Sequence, residues 1–293
     1  MPAVLPIARI SLKNILLTTD FSEASTAALP FALALARQYE AKLFVVHVTP
    51  AEPHLMVVTD RLPAQDDEYI RQARIKIDKF VHPEKPDIEC KQLVDQGDLA
   101  TVIPAIIREH DVDLVVLGTR GRRGLKKLVL GSHAEKIYRH ASCPVLTVGP
   151  RVEAKPDQPW NIKHILFPVD LASESTYALQ YALSLAEENE AELALLHAAP
   201  LVPWQHRVST EERLRAEILS LIPPEAENWF RPEVVVRWDY PGEAIIQVAE
   251  ERKPDLIVMG VTKAGKASSS HRPWPIASEV VGLALCPVLT VRG

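Results

Sequence analysis

The chain lacks most of what marks specialised protein classes. It has three cysteines in 293 residues (Cys90, Cys143 and Cys286) and no CxxC pair. So sparse and odd a number excludes a disulfide framework and points to a reducing compartment, with thiols that pack rather than react. No apolar run reaches the roughly 18 residues of a membrane span. The opening MPAVLPIARISLKNILLTTD holds a Pro-interrupted apolar stretch too short for a signal-peptide core. A cytoplasmic protein with no membrane partner is therefore expected. A net charge of −5 leaves no basic surface for nucleic acid, whose binding requires cations to displace counterions. No His/Cys/Asp cluster shows metal-ligand spacing.

Aromatic residues are also few, at 6%, while hydrophobic content is 47% and charged content 24%. Such a balance is globular rather than disordered. Apolar mass drawn from Ala, Val, Ile and Leu favours buried parallel strands beneath Ala/Leu-rich helices. The length fits two domains of roughly 140 residues, each able to bury its own core.

A repeat makes that division specific. Asn14-Ile-Leu-Leu-Thr-Thr-Asp20 lies over His164-Ile-Leu-Phe-Pro-Val-Asp170, and Ala28, Leu29, Ala32, Leu33, Leu35, Ala36, Glu40, Ala41, Leu43, His47 and Pro50 all recur. Further on, Gly118 matches Gly260, and Cys143-Pro-Val-Leu-Thr-Val148 matches Cys286-Pro-Val-Leu-Thr-Val291. A shift in offset between these matches means that loops differ while elements persist. The expected units are 1–150 and 161–293, joined by a Pro-rich, semi-rigid segment over 149–160.

Periodicity predicts strands at 15–19, 43–48, 88–94, 114–117 and 145–148 in the first unit. Helices are expected at 22–39, with Ser22 as N-cap, and at 66–81, 99–109 and 132–140. The second unit repeats the order, with strands near 164–169, 192–198, 233–238, 256–260 and 288–291. Alternating βα units imply two tandem doubly wound domains, each a five-stranded parallel sheet of order 3-2-1-4-5 with helices on both faces. Ligands of such sheets bind outside the carboxyl ends of the strands, at the switch in winding. The matching apolar fifth strands, 145–148 and 288–291, form sheet edges that must be covered. Pairing of the two units through them is expected, with full-chain homodimerisation as its extension.

The chemistry gathers in one loop. Leu117-Gly118-Thr-Arg120-Gly121-Arg122-Arg-Gly124-Leu-Lys-Lys-Leu-Val-Leu-Gly131-Ser132-His133 follows a buried strand and opens a helix. Gly118 and Gly121 let backbone approach a ligand closely. Gly131 and Ser132 sit at a helix N-terminus, where free N–H groups and the dipole favour an anion. Arg120, Arg122, Arg123, Lys126 and Lys127 bring cations to an acidic chain. A phosphate chain suits this set. The loop is neither a GxxxxGK[ST] P-loop nor the GxGxxG of dinucleotide folds.

The spacing of Gly118, Gly121, Gly131 and Ser132, with Asp20 and the terminal Cys-Pro-Val-Leu strand, resembles the ATP-binding branch of the universal stress protein family. The resemblance covers both units. It implies that Thr18, Asp20 and Val48 flank adenine and ribose, that Leu117, Gly118 and Gly121 line the nucleotide, and that Gly131, Ser132 and the backbone of His133 hold the phosphates. It also implies ATP as ligand, with Mg as a companion ion. Thr18 and His133 depart from the family's usual Pro and Val. In the second unit Lys263 replaces the second glycine and Trp274-Pro275 replaces Gly-Ser, so Trp fills the phosphate volume and Pro275 offers no N–H.

Each residue also has a plainer role. Asp20 reads equally as a helix cap or a ligand contact, and Asp170 as a cap. His47 and His197 read as satisfied core groups. The basic run over 120–127 also fits a solvated loop, and 204–206 and 56–58 read as loop apolar residues. Function is expected to be that of a nucleotide-binding stress regulator, with the second unit structural. Alternatives are a slow ATPase or adenylyl-transfer enzyme of the adenine-nucleotide α-hydrolase group, or an interaction scaffold. The HxGH and SGGxDS strings of such enzymes do not occur.

Overall fold

A computed structural model describes residues 9–49, 63–81, 87–119, 132–153, 160–171, 175–224, 226, 231–261 and 275–292. The first half runs β1 (Asn14–Thr18), α1 (Glu23–Gln38), β2 (Lys42–Thr49), α2 (Pro63–Val81), β3 (Cys90–Gln96), α3 (Leu99–Glu109), β4 (Leu114–Gly118), α4 (Ser132–His140) and β5 (Val145–Val148). The second half repeats it as β6 (His164–Pro168), α5 (Ser175–Asn189), β7 (Glu192–Ala198), α6 (Trp204–Leu219), β8 (Glu233–Arg237), α7 (Pro241–Arg252), β9 (Leu256–Val261), α8 (Pro275–Leu283) and β10 (Val288–Arg292).

The strands form one sheet in the order β3-β2-β1-β4-β5-β10-β9-β6-β7-β8. Within each half every pairing is parallel and the order is the expected 3-2-1-4-5. At the centre β10 runs antiparallel to β5, with Val288 opposite Thr147 and Thr290 opposite Val145. The halves are thereby related by a local pseudo-twofold.

Strands buried on both faces explain the continuous apolar runs of β1, β4 and β9. One core layer lies beneath α1 and α5, joining Leu33 and Leu35 of the first half to Leu183 and Leu185 of the second. The opposite layer lies beneath α3, α4, α7 and α8, with Ile103, Ile137, Val248 and Val280. In α1, Ser22 is the N-cap as expected, accepting from Ser25 N at 3.3 Å.

Three boundaries differ from the sequence reading. β3 spans 90–96 rather than 88–94 because it is a half-buried edge, where pairing with β2 and not an apolar run fixes its ends. α2 starts at Pro63, an imino acid suited to a first helical position. Trp204 begins α6 instead of sitting in a loop; its helix buries only Leu214 and Ile218, too thin a stripe to read by period. The ends of the Pro-rich connection also pack. Trp160 meets Phe31 edge-on at 5.0 Å and donates to the Asp255 carbonyl. Among the described residues, no helix is long and apolar enough to cross a membrane.

Candidate functional site

The winding switch of the first half falls between β1 and β4, and a cleft of about 180 Å³ opens there. Thr18, Asp20, Val48, Leu117 and Gly118, expected from sequence to converge, all line it. Arg120, Gly121, Arg122 and Gly131 lie outside the described residues, as do 56–58, Lys263 and Trp274. Ser132 and His133 open α4, and Ala134 and Ile137 of that helix line the cleft. The amino end of α4, whose first N–H groups have no partner within the helix and which carries the positive dipole end, therefore stands at the opening.

Two larger depressions, of about 680 and 760 Å³, lie in the second half. The first follows the edge strand β8 and the second the amino ends of β6 and β7. Neither lies at a winding switch, and size alone does not outweigh that position.

The floor of the cleft is a chain of hydroxyls that the sequence reading missed. Thr19 is buried; its Oγ1 accepts from Phe21 N at 3.0 Å and donates to Ser25 Oγ at 3.1 Å. Ser25 Oγ lies 3.2 Å from Asp20 Oδ1 and 2.9 Å from the Ser22 carbonyl. Thr119, also buried, closes the floor from β4. The signal was present in the run Thr18-Thr19-Asp20-Phe21-Ser22-x-x-Ser25, where hydroxyls recur on both sides of the strand end. Phe21 is held at φ 60°, so this turn carries local strain in a bulky residue.

Two of the expected residues also hold the local structure. Asp20 Oδ1 accepts from Ser22 N at 3.0 Å, while Ser22 itself caps α1. Asp20 thus shapes the turn ahead of the cap, with its carboxylate exposed at the rim. Gly118, which lines the cleft, also admits α1. A Cβ there would lie 1.8 Å from the Ala24 carbonyl oxygen and 3.0 Å from Ser25 N. Close packing of β4 on the start of α1 requires glycine at this point.

His47 and His197 act as the plainer reading held. Nδ1 of each donates to the carbonyl following the first strand of its half, Thr19 at 2.8 Å and Val169 at 2.9 Å. Burial pushes the thiols of Cys143 and Cys286 up to about 12, which keeps them protonated and inert near neutrality. At the rim, Lys136 of α4 pairs with Asp98, whose carboxylate caps α3 by accepting from Ala100 N at 3.2 Å. That lysine beside it holds the Asp98 carboxyl below the usual range.

Fold and cleft together define a tandem doubly wound α/β protein with a mixed polar and apolar cleft at the winding switch of its first half. Comparison with known proteins makes this specific. The universal stress protein family model matches residues 11–149 and again 161–292. The chain belongs to the universal stress protein family. It is similar to a universal stress protein of Methanocaldococcus jannaschii, 29% identical over 144 residues, covering 46% of this chain and 81% of that one. In fold it is similar to a universal stress protein from Archaeoglobus fulgidus, with a TM-score of 0.70 at 19% identity over 95% of this chain and 98% of that one. A protein of unknown function from Pseudomonas aeruginosa gives 0.66 at 19% identity over 96% and 93%.

Proposed function

We propose that this chain is an adenine-nucleotide-binding stress regulator that binds ATP in its first domain, residues 1–150, while the second, 161–293, is structural. The observation that carries the reading is the cleft at the first winding switch. There the amino end of α4 meets a hydroxyl-lined floor bounded by Thr18, Asp20, Val48, Leu117 and Gly118. N–H groups and a positive dipole end suit phosphates, and the hydroxyls of the floor fix the turn beneath them. The sequence adds Gly121 and Gly131 with the cations Arg120 and Arg122, and Ser132 and His133 begin the helix.

This donor set fits an anionic nucleotide and asks little of a metal. Among the described residues no group of three His, Cys, Asp or Glu side chains gathers. A magnesium ion arriving with ATP would be held by phosphates and water, with Asp20 as the neighbouring carboxylate. The residues present bind and orient, so the role proposed is that of a sensor rather than a catalyst. In the second domain Pro275 opens α8 where Ser132 opens α4. The domain contact through β5 and β10 makes the two halves one working unit.

Isothermal titration of the full chain with ATP tests the proposal. One nucleotide per chain is expected. A stoichiometry near two, or binding that survives Gly131→Trp at full strength, would overturn the assignment to the first domain.

A further inference from the structure

The amino end of α4 faces the cleft, and its carboxyl end is gripped by the other half of the molecule. Tyr138, in the last turn of α4, is buried, and its hydroxyl meets Thr147 Oγ1 of its own β5. Thr290 of β10 stands beside the same phenol, its Oγ1 donating to the Val145 carbonyl at 3.2 Å. The Arg292 guanidinium, at the end of β10, donates to the Tyr138 carbonyl. Carbonyls in the last helical turn have no partner inside the helix, and a cation there also meets the negative end of the dipole.

The reciprocal contact is built differently. Val281 occupies the place of Tyr138 in α8, so no hydroxyl is available there. Gly149 occupies the place of Arg292, and a Cβ on it would lie 2.2 Å from the Val281 carbonyl oxygen. α8 is capped one turn-end further on, where Arg151 Nη1 donates to the Leu283 carbonyl at 2.8 Å. Each half therefore caps the other's last helix. In α4 the grip falls on the residue next to a cleft-lining side chain, Ile137.

We propose that Thr290 and Arg292 of the second domain are positioning residues for the cleft of the first. Held at Tyr138, a helix of nine residues, about 13 Å long, acts as a rigid strut whose far end meets the ligand. Preset donors bind more tightly than donors that must first be ordered. By linkage, ligand in the cleft must then strengthen the contact between the domains. The inference rests on the nucleotide reading of the cleft and gives the second domain a task that its altered loop does not require it to lose.

The test uses the full chain and three variants: Arg292→Met, which removes the donor and keeps the stem, Arg292→Lys, and the mirror change Arg151→Met. ATP affinity is measured by titration, and amide hydrogen exchange is followed in α4 and α8. Arg292→Met is expected to weaken ATP about tenfold, at the low end of typical coupling between sites, and to speed exchange in α4. Arg292→Lys should recover most of both. Arg151→Met should speed exchange in α8 and leave ATP affinity as it was. Should Arg292→Met not fold, Thr290→Val, which keeps the shape and removes the second domain's hydroxyl beside the Tyr138 phenol, carries the same expected split. Unchanged affinity in Arg292→Met overturns the coupling alone, as does an equal loss in Arg151→Met, which would report general loosening. A wild-type chain that binds no ATP overturns the reading of the cleft and the coupling with it.

Discussion

The mouths of the two domains share their framework and differ in their chemistry. Asp20, His47 and Gly118 recur as Asp170, His197 and Gly260, while Thr18, Thr19 and Thr119 become Pro168, Val169 and Val261. Ser132, at the start of α4, becomes Pro275 at the start of α8. What recurs holds the fold: a histidine fixing the strand-end carbonyl and, in the first half, a glycine admitting α1. What differs is the set of hydroxyls and N–H donors that a phosphate needs. The difference between the domains thus reaches past the loop into the strand ends. Identity between the copies falls mainly on packing, and difference falls mainly on the proposed site.

The sharpest way to break this division is at Gly118. If it belongs to the framework, Gly118→Val drives a side chain into the Ala24 carbonyl and should cost about 3 kcal/mol or more. Chemical denaturation measures it. A stable variant that merely binds ATP poorly would move Gly118 into the ligand set.

Next in size is Gly131→Trp, which copies Trp274 into the first domain. ATP affinity should fall at least about 100-fold, equivalent to roughly 2.7 kcal/mol, while circular dichroism and melting stay near wild type. A parallel loss of fold would mean that the glycine serves the framework too.

These two glycines also show how far the sequence could be read. The βα alternation, the tandem repeat and the strand order were legible because buried parallel strands leave apolar runs whatever their loops do. Thr18, Asp20, Val48, Leu117 and Gly118 were expected together because topology picks out the strand ends and the family resemblance picks out these residues on them, and all five line the cleft. The reason for Gly118 was not legible, since Ala24 is distant in sequence and adjacent only once β4 packs on α1. Thr19 and Ser25 were passed over because a hydroxyl that satisfies a local turn leaves no period. The grip of Arg292 on Tyr138 spans 154 residues and crosses the two halves, so no local pattern announces it.

A smaller effect is expected at Thr19, which tests whether the differing hydroxyls are floor or scaffold. Thr19→Val matches Val169 in shape and removes an acceptor from Phe21 N and a donor to Ser25. Loss of such buried bonds costs about 1–2 kcal/mol of stability. If Thr19 also serves the ligand, titration should show ATP affinity falling about fivefold in the population that remains folded. Lower stability with unchanged affinity would return Thr19 to the framework.

The smallest effect concerns acid. Asp98 pairs with Lys136 and caps α3, tying two cleft-lining helices together. At the matching places the second domain has Tyr240, which caps α7 with no side-chain bond, and Glu279. The clamp is therefore charged in one half and absent in the other. The Asp98 carboxyl is held below its ordinary value near 3.8, chiefly by its hydrogen bond from Lys136. A carboxyl depressed in the folded state contributes stability that is present above the unfolded value and lost as pH falls through the folded one. Below about pH 4 the α3–α4 contact should loosen more than α7–α8, where the Glu279 carboxylate lies against Gly242 at the start of α7 without such a pair. The pair is exposed, so water screens it and the change is slight. Hydrogen exchange across that range should show protection lost first in α3 and α4, and Asp98→Asn should abolish the pH dependence of that difference. Equal acid sensitivity in both halves would show that the two mouths, however different in their hydroxyls, are held shut by the same forces.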